Sequence, residues 1–574
     1  MLEVHQLYND TLHRNADPGG ISEYKRMCLT SRQYVENILR TSGEYRSRNA
    51  TFYTHNGITL CCAIKNRWDM LVQSLPTWLA CMDVSEILIV DYGSDISVYE
   101  SLKDLKMLDE RIRVIQVLGV NQWCLSKAYN IAMYHAKYNI IVKMDTDYKL
   151  TNPEFFKNHI LKEGVFFAGN WRNSRDENED HLNGFVYIYK HDFFRINGYS
   201  ENITTYGRDD EDLYERLRLI DMKRTDISND YIHHIPHGDH LRTKHQQMNT
   251  QNCHDEIIFN EGVKRWTNND FRETFHVVEA YDGLWYASDT PFFIFRPHHG
   301  LGNRLRSLMS VLQFVKKYDM TLVLQWPVDH HLHCKFSSLF TKEYPMMSPD
   351  IKIPFHLGGD KYNYVDDEAG NNKGESVKYL NRPIFAKSNC VLEFEGHDYN
   401  VMAELLRELP ICKDVLEIVP KIDRYTVGVH IRMDNKMSNA WEIQSNYNER
   451  NFDVTQRERT KSHYSNFVSE MLKLEETLDC DWFICTDTPR IIPRMKQIFG
   501  ERVIYNDVAD DIDSVANDNV VDREEHSIKL AFADMLTLSK CDAVLGSSWS
   551  SFTEAAKYLK YGNFDFFRIV GTDF

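Results

Sequence analysis

The sequence predicts an α/β protein built from two separate units, and three observations carry that expectation. Short apolar runs alternate with helical stretches from residue 57 onward. The alternation thins over about 244–269 and restarts after Pro291. The length of 574 residues leaves room for two α/β units of roughly 200 to 250 residues each. No internal repeat joins the halves, so two different domains are expected.

Residues 1–50 read as a polar helical lead-in. A helix is expected from Ser22 to Leu39, where Tyr24, Met27, Cys28, Tyr34, Ile38 and Leu39 recur at roughly helical spacing. The first α/β unit covers 51–270, with strands over 58–64, 86–91, 111–117 and 139–145 and a helix through LSKAYNIAMYHA. A linker is expected over 271–290. The second unit, 291–574, takes strands from FFIFRP, TLVLQWP, YTVGVHI, DWFICTD, RVIY and DAVLGSS. In such alternating folds ligands bind at the carboxyl ends of the strands.

Composition removes several function classes. The chain is 43% hydrophobic and 12% aromatic, enough for sizeable cores. Its 84 acidic residues against 67 basic ones leave a net charge of −17, and the acid-rich segment 501–526 supplies −7 of it. Such a surface repels polyanions, so neither nucleic acid nor an anionic membrane is an expected partner. The twelve cysteines form no C-x-x-C pair, and no long uncharged apolar stretch offers a membrane anchor. A soluble, cytoplasmic protein in a reducing compartment is the expectation.

Two constellations carry chemistry. NIIVKMDTDYKL ends an apolar run with Asp145 and Asp147, two hard oxygen ligands of the kind that holds Mn²⁺ or Mg²⁺ on a diphosphate. The D-x-D pattern occurs four times, at 145, 210, 479 and 511, and only the first closes an apolar strand in an α/β unit. Downstream, GRDDEDLYERL opens a helix with four consecutive acids, a run that also serves the helix dipole. Four histidines, His233, His234, His237 and His240, fall within eight residues. In the second unit, HHGLGNRLRSL places two glycines ahead of an amphipathic helix, where backbone amides, Arg304 and Arg306 can face an anion. VGVHIRMDN then ends a strand with His430, Arg432 and Asp434, and Asp434 is the acid beside Arg432 in sequence.

The region 57–270 resembles the GT-A fold glycosyltransferases, most closely the galactosyl- and N-acetylgalactosaminyltransferases of the β-1,4-galactosyltransferase and chondroitin-synthase type. The matching pieces are CAIKNRWDML, VDYGSD, LSKAYNIAM, MDTDY, INGYSENITTYGRDDEDLYERL and IHHIPHGDH. The resemblance implies that Lys65, Asn66, Arg67 and Asp91 hold a uridine nucleotide. It implies that Asp145, Asp147 and His237 bind the metal, with His234 the alternative histidine. Asp210 would be the general base of an inverting transfer and Asp209 a clamp on the acceptor hydroxyl. Where the family carries a tryptophan ahead of the acidic run, this chain has Tyr206.

Residues 290–574 resemble the GDP-fucose-dependent fucosyltransferases of GT-B fold, through GLGNR, HIR, FICTDTP and the segment ending GSSWSSFTEAAKYL. Carried over, Arg432 would bind the GDP diphosphate, His430 and Asp534 the nucleoside, and Ser550 and Ser551 the phosphates, while Asn303 and Arg304 would line the cleft. Many relatives have a second arginine where this chain has Met433. The combined expectation is a bifunctional glycosyltransferase. A Mn²⁺- or Mg²⁺-dependent unit would use a UDP-sugar of the galactose or N-acetylgalactosamine type, with xylose or glucose as variants. A metal-independent unit would use GDP-fucose, both acting on a glycan or glycoprotein acceptor. The alternative is one active unit, with the other reduced to a carbohydrate-binding module.

Overall fold

The computed structural model describes residues 55–238, 240–263, 275–351, 360–365, 371–432, 458, 460–506 and 524–571. The expected helix over Ser22–Leu39, Asp434 and most of the acid-rich segment lie outside them. The chain divides between Asp289 and Thr290 into two compact units.

In the first unit, β1 (His55–Ile64), α1 (Trp68–Leu79), β2 (Val84–Asp91), α2 (Val98–Asp104), β3 (Ile112–Val117), α3 (Leu125–His135) and β4 (Tyr138–Lys143) follow the expected alternation. β1 is buried from Ile58 to its end because helices cover both faces, which is why it reads as a continuous apolar run rather than an alternating one. β1 pairs in parallel with β2 and β4, with Ile64 opposite Asp91 and Cys61 opposite Lys143. That register brings Lys65, Asp91 and Asp145 to one edge of the sheet.

The chain continues through β5 (Tyr148–Leu150), β6 (Val165–Ala168), β7 (Val186–Tyr189), α4 (Lys190–Arg195), α5 (Asp209–Leu219), β8 (Lys223–Asp226), β9 (Ile232–His234), α6 (Cys253–Glu261), β10 (His276–Tyr281) and β11 (Leu284–Ser288). The nine-stranded sheet runs β10-β11-β3-β2-β1-β4-β7-β6-β8. The expected linker over 271–290 is corrected here. Residues 276–288 form an antiparallel hairpin whose β11 pairs in parallel with β3, extending the first unit's sheet. Val278, Ala280, Leu284 and Tyr286 are buried on one face of the hairpin and Ala287 on the other, which gives the physical reason. A separate two-stranded ladder joins β5 to β9, with Tyr148 opposite His234.

The second unit holds two parallel sheets. β12 (Phe292–Pro297), α7 (Leu301–Tyr318), β13 (Thr321–Leu324), β14 (Asp360–Tyr364), β15 (Ile384–Ser388) and α8 (Tyr399–Arg407) build the first, of order β13-β12-β15-β14. α9 (Lys413–Ile418), β16 (Thr426–Ile431), α10 (Tyr464–Glu475), β17 (Asp481–Thr486), α11 (Ile492–Phe499), β18 (Val503–Ile504), α12 (Glu525–Lys540), β19 (Ala543–Ser547), α13 (Ser551–Leu559) and β20 (Phe567–Val570) build the second, of order β18-β17-β16-β19-β20. Gly302 has a packing reason: a Cβ there would meet the backbone oxygen of Ser551 at 2.6 Å. The glycine therefore lets the first turns of α7 and α13 touch. Among the described residues eleven cysteines are free thiols, and no helix is long and apolar enough to cross a membrane.

Candidate active sites

In the first unit the site grows from the end of β4. Strand β9 returns antiparallel to β5, and the Ile235 amide donates to the Asp147 carbonyl at 2.7 Å, so the 234–238 segment folds over Asp147. His237 Nε2 comes to 2.8 Å from Asp147 Oδ2, and His234 Nε2 to 3.8 Å. The ligand atoms of Asp147, His234 and His237 all lie within 4.8 Å of one another. Each imidazole is oriented through its other nitrogen: His234 Nδ1 meets Asn178 Oδ1 at 2.6 Å, and His237 Nδ1 meets the Gly238 carbonyl at 3.3 Å. Histidines fixed this way, with Nε2 turned to a common point, are the arrangement a divalent cation uses. Burial pushes the Asp147 carboxyl up. The His237 hydrogen bond, His234 and Arg67 outweigh that push and hold it below the usual carboxylate range.

Asp145 is not drawn into this cluster. Its Oδ1 accepts from the Tyr129 hydroxyl, and its Oδ2 lies 3.0 Å from the Lys143 ammonium. Lys143 is buried, sits 4.9 Å above the Tyr129 ring, and also lies 3.7 Å from Asp210 Oδ1. One ammonium thus links the D-x-D segment to the acidic helix start. Despite the cost of burial, the two aspartates raise the Lys143 pKa, so it stays charged.

The four acids opening α5 divide by role. Asp212 grips Arg216 through Nε at 2.9 Å and Nη2 at 2.7 Å, while Arg216 Nη1 binds the carbonyls of Ile196 and Gly198. That acid ties the helix to the preceding loop. Asp209 and Asp210 keep one buried carboxylate oxygen each without a hydrogen bond. Burial, with Asp209, Asp145 and Glu211 nearby, raises Asp210 well above the usual range against the opposing pull of Lys143. Asp209 is raised as well, chiefly by burial. Gly184 keeps this face open, since a Cβ there would lie 2.9 Å from Lys143 Nζ and 3.1 Å from Asp210 Oδ2.

The expected nucleotide residues share the same sheet edge. Lys65 Nζ donates to the Gly93 carbonyl at 2.6 Å, and Asn66 exchanges two hydrogen bonds with Asp95. Asp91 accepts the amides of Ser94 and Val98, so it shapes the loop after β2, and burial raises its pKa. Arg67 reaches Asp147 at 3.2 Å and the Leu241 carbonyl at 2.9 Å. The sequence reading passed over Lys143, Tyr129 and Gly184. A lysine inside the otherwise apolar run NIIVKM was the available signal, because an ammonium is buried only with partners.

In the second unit, Ser547 Oγ accepts the Arg432 amide at 2.8 Å and donates to the His430 carbonyl at 2.8 Å, clasping the ends of β16 and β19. Arg432 then stands near the N-terminus of α13, where Ser550 caps the chain in extended conformation. Ser550 Oγ is buried without a hydrogen bond, and Trp549 before it is exposed at a left-handed φ of 49°. Strain of that kind collects at binding sites. His430 lies behind this helix start, its Nδ1 2.6 Å from Thr553 Oγ1 and its ring stacked on Phe552.

Two expectations are corrected. Arg304 does not line a cleft: it is fully buried, and its guanidinium donates to the carbonyls of His299 and Pro327 and to Asp329 Oδ1 at 3.0 Å. Burial lowers its pKa to about 10. Arg306 is likewise engaged, with Glu554 at 2.8 Å and the Asn389 carbonyl. Among the described residues, Asp487 lies 3.8 Å from Arg432, delivered by the neighbouring strand β17. Asn303 is half-buried on the first turn of α7 and Ser551 half-buried at the start of α13.

Asp534, on α12, accepts from Asn506 at 2.7 Å, and burial pushes its carboxyl up to about 7. A carboxyl whose folded pKa exceeds its unfolded value keeps its proton longer in the native state. Its contribution to stability is therefore complete at acid pH and lost as pH rises from about 4 to about 7. Asp534→Asn is expected to flatten that loss by on the order of 2–4 kcal/mol. Melts at pH 5 and pH 8 check this, and equal pH responses in both proteins would exclude the shift.

Residues 171–244 match the family model described as the N-terminal domain of galactosyltransferase. The chain carries a glycosyltransferase domain. No curated protein matches the sequence. Among solved structures, the fucosyltransferase NodZ from Bradyrhizobium is similar at 15% identity over 47% of this chain and 94% of that one, with a TM-score of 0.31. The catalytic domain of Drosophila β1,4-galactosyltransferase 7, in complex with xylobiose, is similar at 16% identity over 41% of this chain and 92% of that one, with a TM-score of 0.29. These scores leave the reading of each site to its own residues.

Proposed function

We propose that the chain is a bifunctional glycosyltransferase whose first unit transfers a sugar from a UDP-sugar by an inverting, metal-dependent route. The observation that carries this reading is the convergence of Asp147, just beyond the carboxyl end of β4, with His234 and His237, the two histidines lying within the segment that matches the galactosyltransferase family model. One carboxylate and two imidazoles suit Mn²⁺, with Mg²⁺ the less favoured ion because it prefers oxygen. Asp147, His237 and His234 would hold the cation, which supplies neutralising charge to the leaving diphosphate. Asp145, expected as a ligand, instead anchors Lys143 between itself and Asp210. Asp210, raised in proton affinity, takes the acceptor hydroxyl's proton, and Asp209 beside it holds that hydroxyl. Lys65, Asn66, Arg67 and Asp91 shape the nucleotide side.

The second unit would transfer fucose from GDP-fucose to a glycan acceptor without a metal. What supports it is Arg432, tied through its amide to Ser547 just ahead of α13, so that its guanidinium and the first amides of that helix can share a diphosphate. Ser551 and Asp534 would complete the nucleotide contacts.

EDTA is expected to abolish UDP-sugar turnover and to spare GDP-sugar turnover, followed as nucleotide release without acceptor. Loss of both removes the metal-free assignment. Release of a single nucleotide class favours one active unit beside a carbohydrate-binding one.

A further inference from the structure

A second cluster of ligating side chains stands apart from both sites, on the first unit's sheet. Strands β6 and β7 pair antiparallel, with Phe167 opposite Tyr187 and Ala168 opposite Val186. Glu163, in the turn before β6, and His191, on α4 directly after β7, lie beyond the end of the ladder away from Asp210. The next residue, Asp192, turns inward on α4 and is 2% exposed. His191 Nε2 lies 3.5 Å from Glu163 Oε2 and 3.4 Å from Asp192 Oδ2, and the three ligand atoms fall within 4.8 Å of one another.

Those spacings are informative. Zinc bonds of about 2.0–2.2 Å at tetrahedral angles put neighbouring ligand atoms roughly 3.3–3.6 Å apart. Asp192 provides an independent sign. Its Oδ1 is taken by Arg195 at 2.9 Å, while its Oδ2, buried and turned toward His191, makes no hydrogen bond. A buried carboxylate oxygen calls for a donor or a cation. The His191 ring stacks on Tyr189, with centroids 5.5 Å apart and planes 19° off parallel, which fixes the direction of Nε2. Glu163 is exposed and free to swing in, leaving the fourth position to water.

We propose that Glu163, His191 and Asp192 form a peripheral binding site for a divalent cation of the zinc class, clamping the end of the β6–β7 ladder to α4. One imidazole and two carboxylates match the borderline character of that ion and carry the charge to neutralise it. The site does not depend on the transferase reading.

The test uses the full chain carrying His237→Ala, which disables the Asp147 cluster, with Co²⁺ as the spectroscopic probe. This parent is expected to bind one equivalent with the visible absorption of a tetrahedral nitrogen and oxygen site, displaced by Zn²⁺. Adding His191→Ala or Asp192→Asn should weaken Co²⁺ binding at least tenfold and remove the rise in melting temperature that Zn²⁺ gives the parent. If Asp192→Asn folds poorly, Glu163→Gln, on an exposed side chain, supplies the same comparison. Absence of bound Co²⁺ in the parent, or equal binding by parent and variants, overturns the proposal.

Discussion

Asp210→Asn is expected to lower UDP-sugar transfer by about three to four orders of magnitude, the upper part of the range for removing a general base. The substitution keeps the side chain's size and leaves the helix start with three acids. What it removes is the group whose proton affinity burial and Asp209 raise, and whose charge Lys143 answers at 3.7 Å. Because a raised carboxyl must lose its proton before it can accept another, wild-type turnover should climb with pH, and the variant's residual rate should not. The competing role is helix electrostatics. Asp210 lies in the first turn of α5, where an acid contributes about 0.3–1 kcal/mol through the dipole. On that account the variant melts slightly earlier and transfers sugar at nearly the wild-type rate. Single-turnover rates beside a melt separate the two, and a stable variant with unchanged transfer would remove Asp210 from the chemistry.

The alternation of apolar runs and helices was legible because parallel strands buried on both faces leave continuous signals of the ITLCCAI kind. The expected strands at 58–64, 86–91, 139–145 and 481–487 recur as β1, β2, β4 and β17 within a few residues at their ends. What was not legible came from pairing between distant short segments. The β5–β9 ladder joins strands of three residues each, too short for any period, yet it is what folds His234 and His237 onto Asp147. The β10–β11 hairpin was missed because its place is set by β3, far earlier in the chain.

Arg304 illustrates a warning that helical spacing did contain. It lies three residues after Leu301 and four before Leu308, both buried, so the periodicity that marked α7 as amphipathic also put Arg304 on its inner face. Position beside a glycine turn suggested an anion site. The face of the helix decided otherwise, and a buried guanidinium took carbonyl partners instead. At the end of β16 the acid beside Arg432 comes from across the sheet. Ile431 is in register with Thr486, which brings Asp487 beside Arg432.

Arg432→Lys is expected to cut GDP-sugar turnover by roughly two to three orders of magnitude, equivalent to about 3–4 kcal/mol, with UDP-sugar turnover unchanged. Lysine keeps the charge and loses the planar two-donor fork that matches a diphosphate. The contact with Asp487 has little stabilising power. Arg432 is 32% exposed, and its separation from Asp487 is too long for a hydrogen bond, so as a surface ion pair the contact contributes about 0–1 kcal/mol. If the Asp487 contact were all that Arg432 contributed, its loss would show as a small drop in melting temperature, and Asp487→Asn would reproduce that drop. If Arg432 holds the nucleotide, Asp487→Asn behaves differently: the guanidinium loses a competing anion, and GDP binding stays the same or tightens. Calorimetric titration of GDP into both variants decides. Weak binding in Arg432→Lys with strong binding in Asp487→Asn supports the diphosphate clamp, whereas near-wild-type GDP affinity in Arg432→Lys removes the second unit's nucleotide site from this residue.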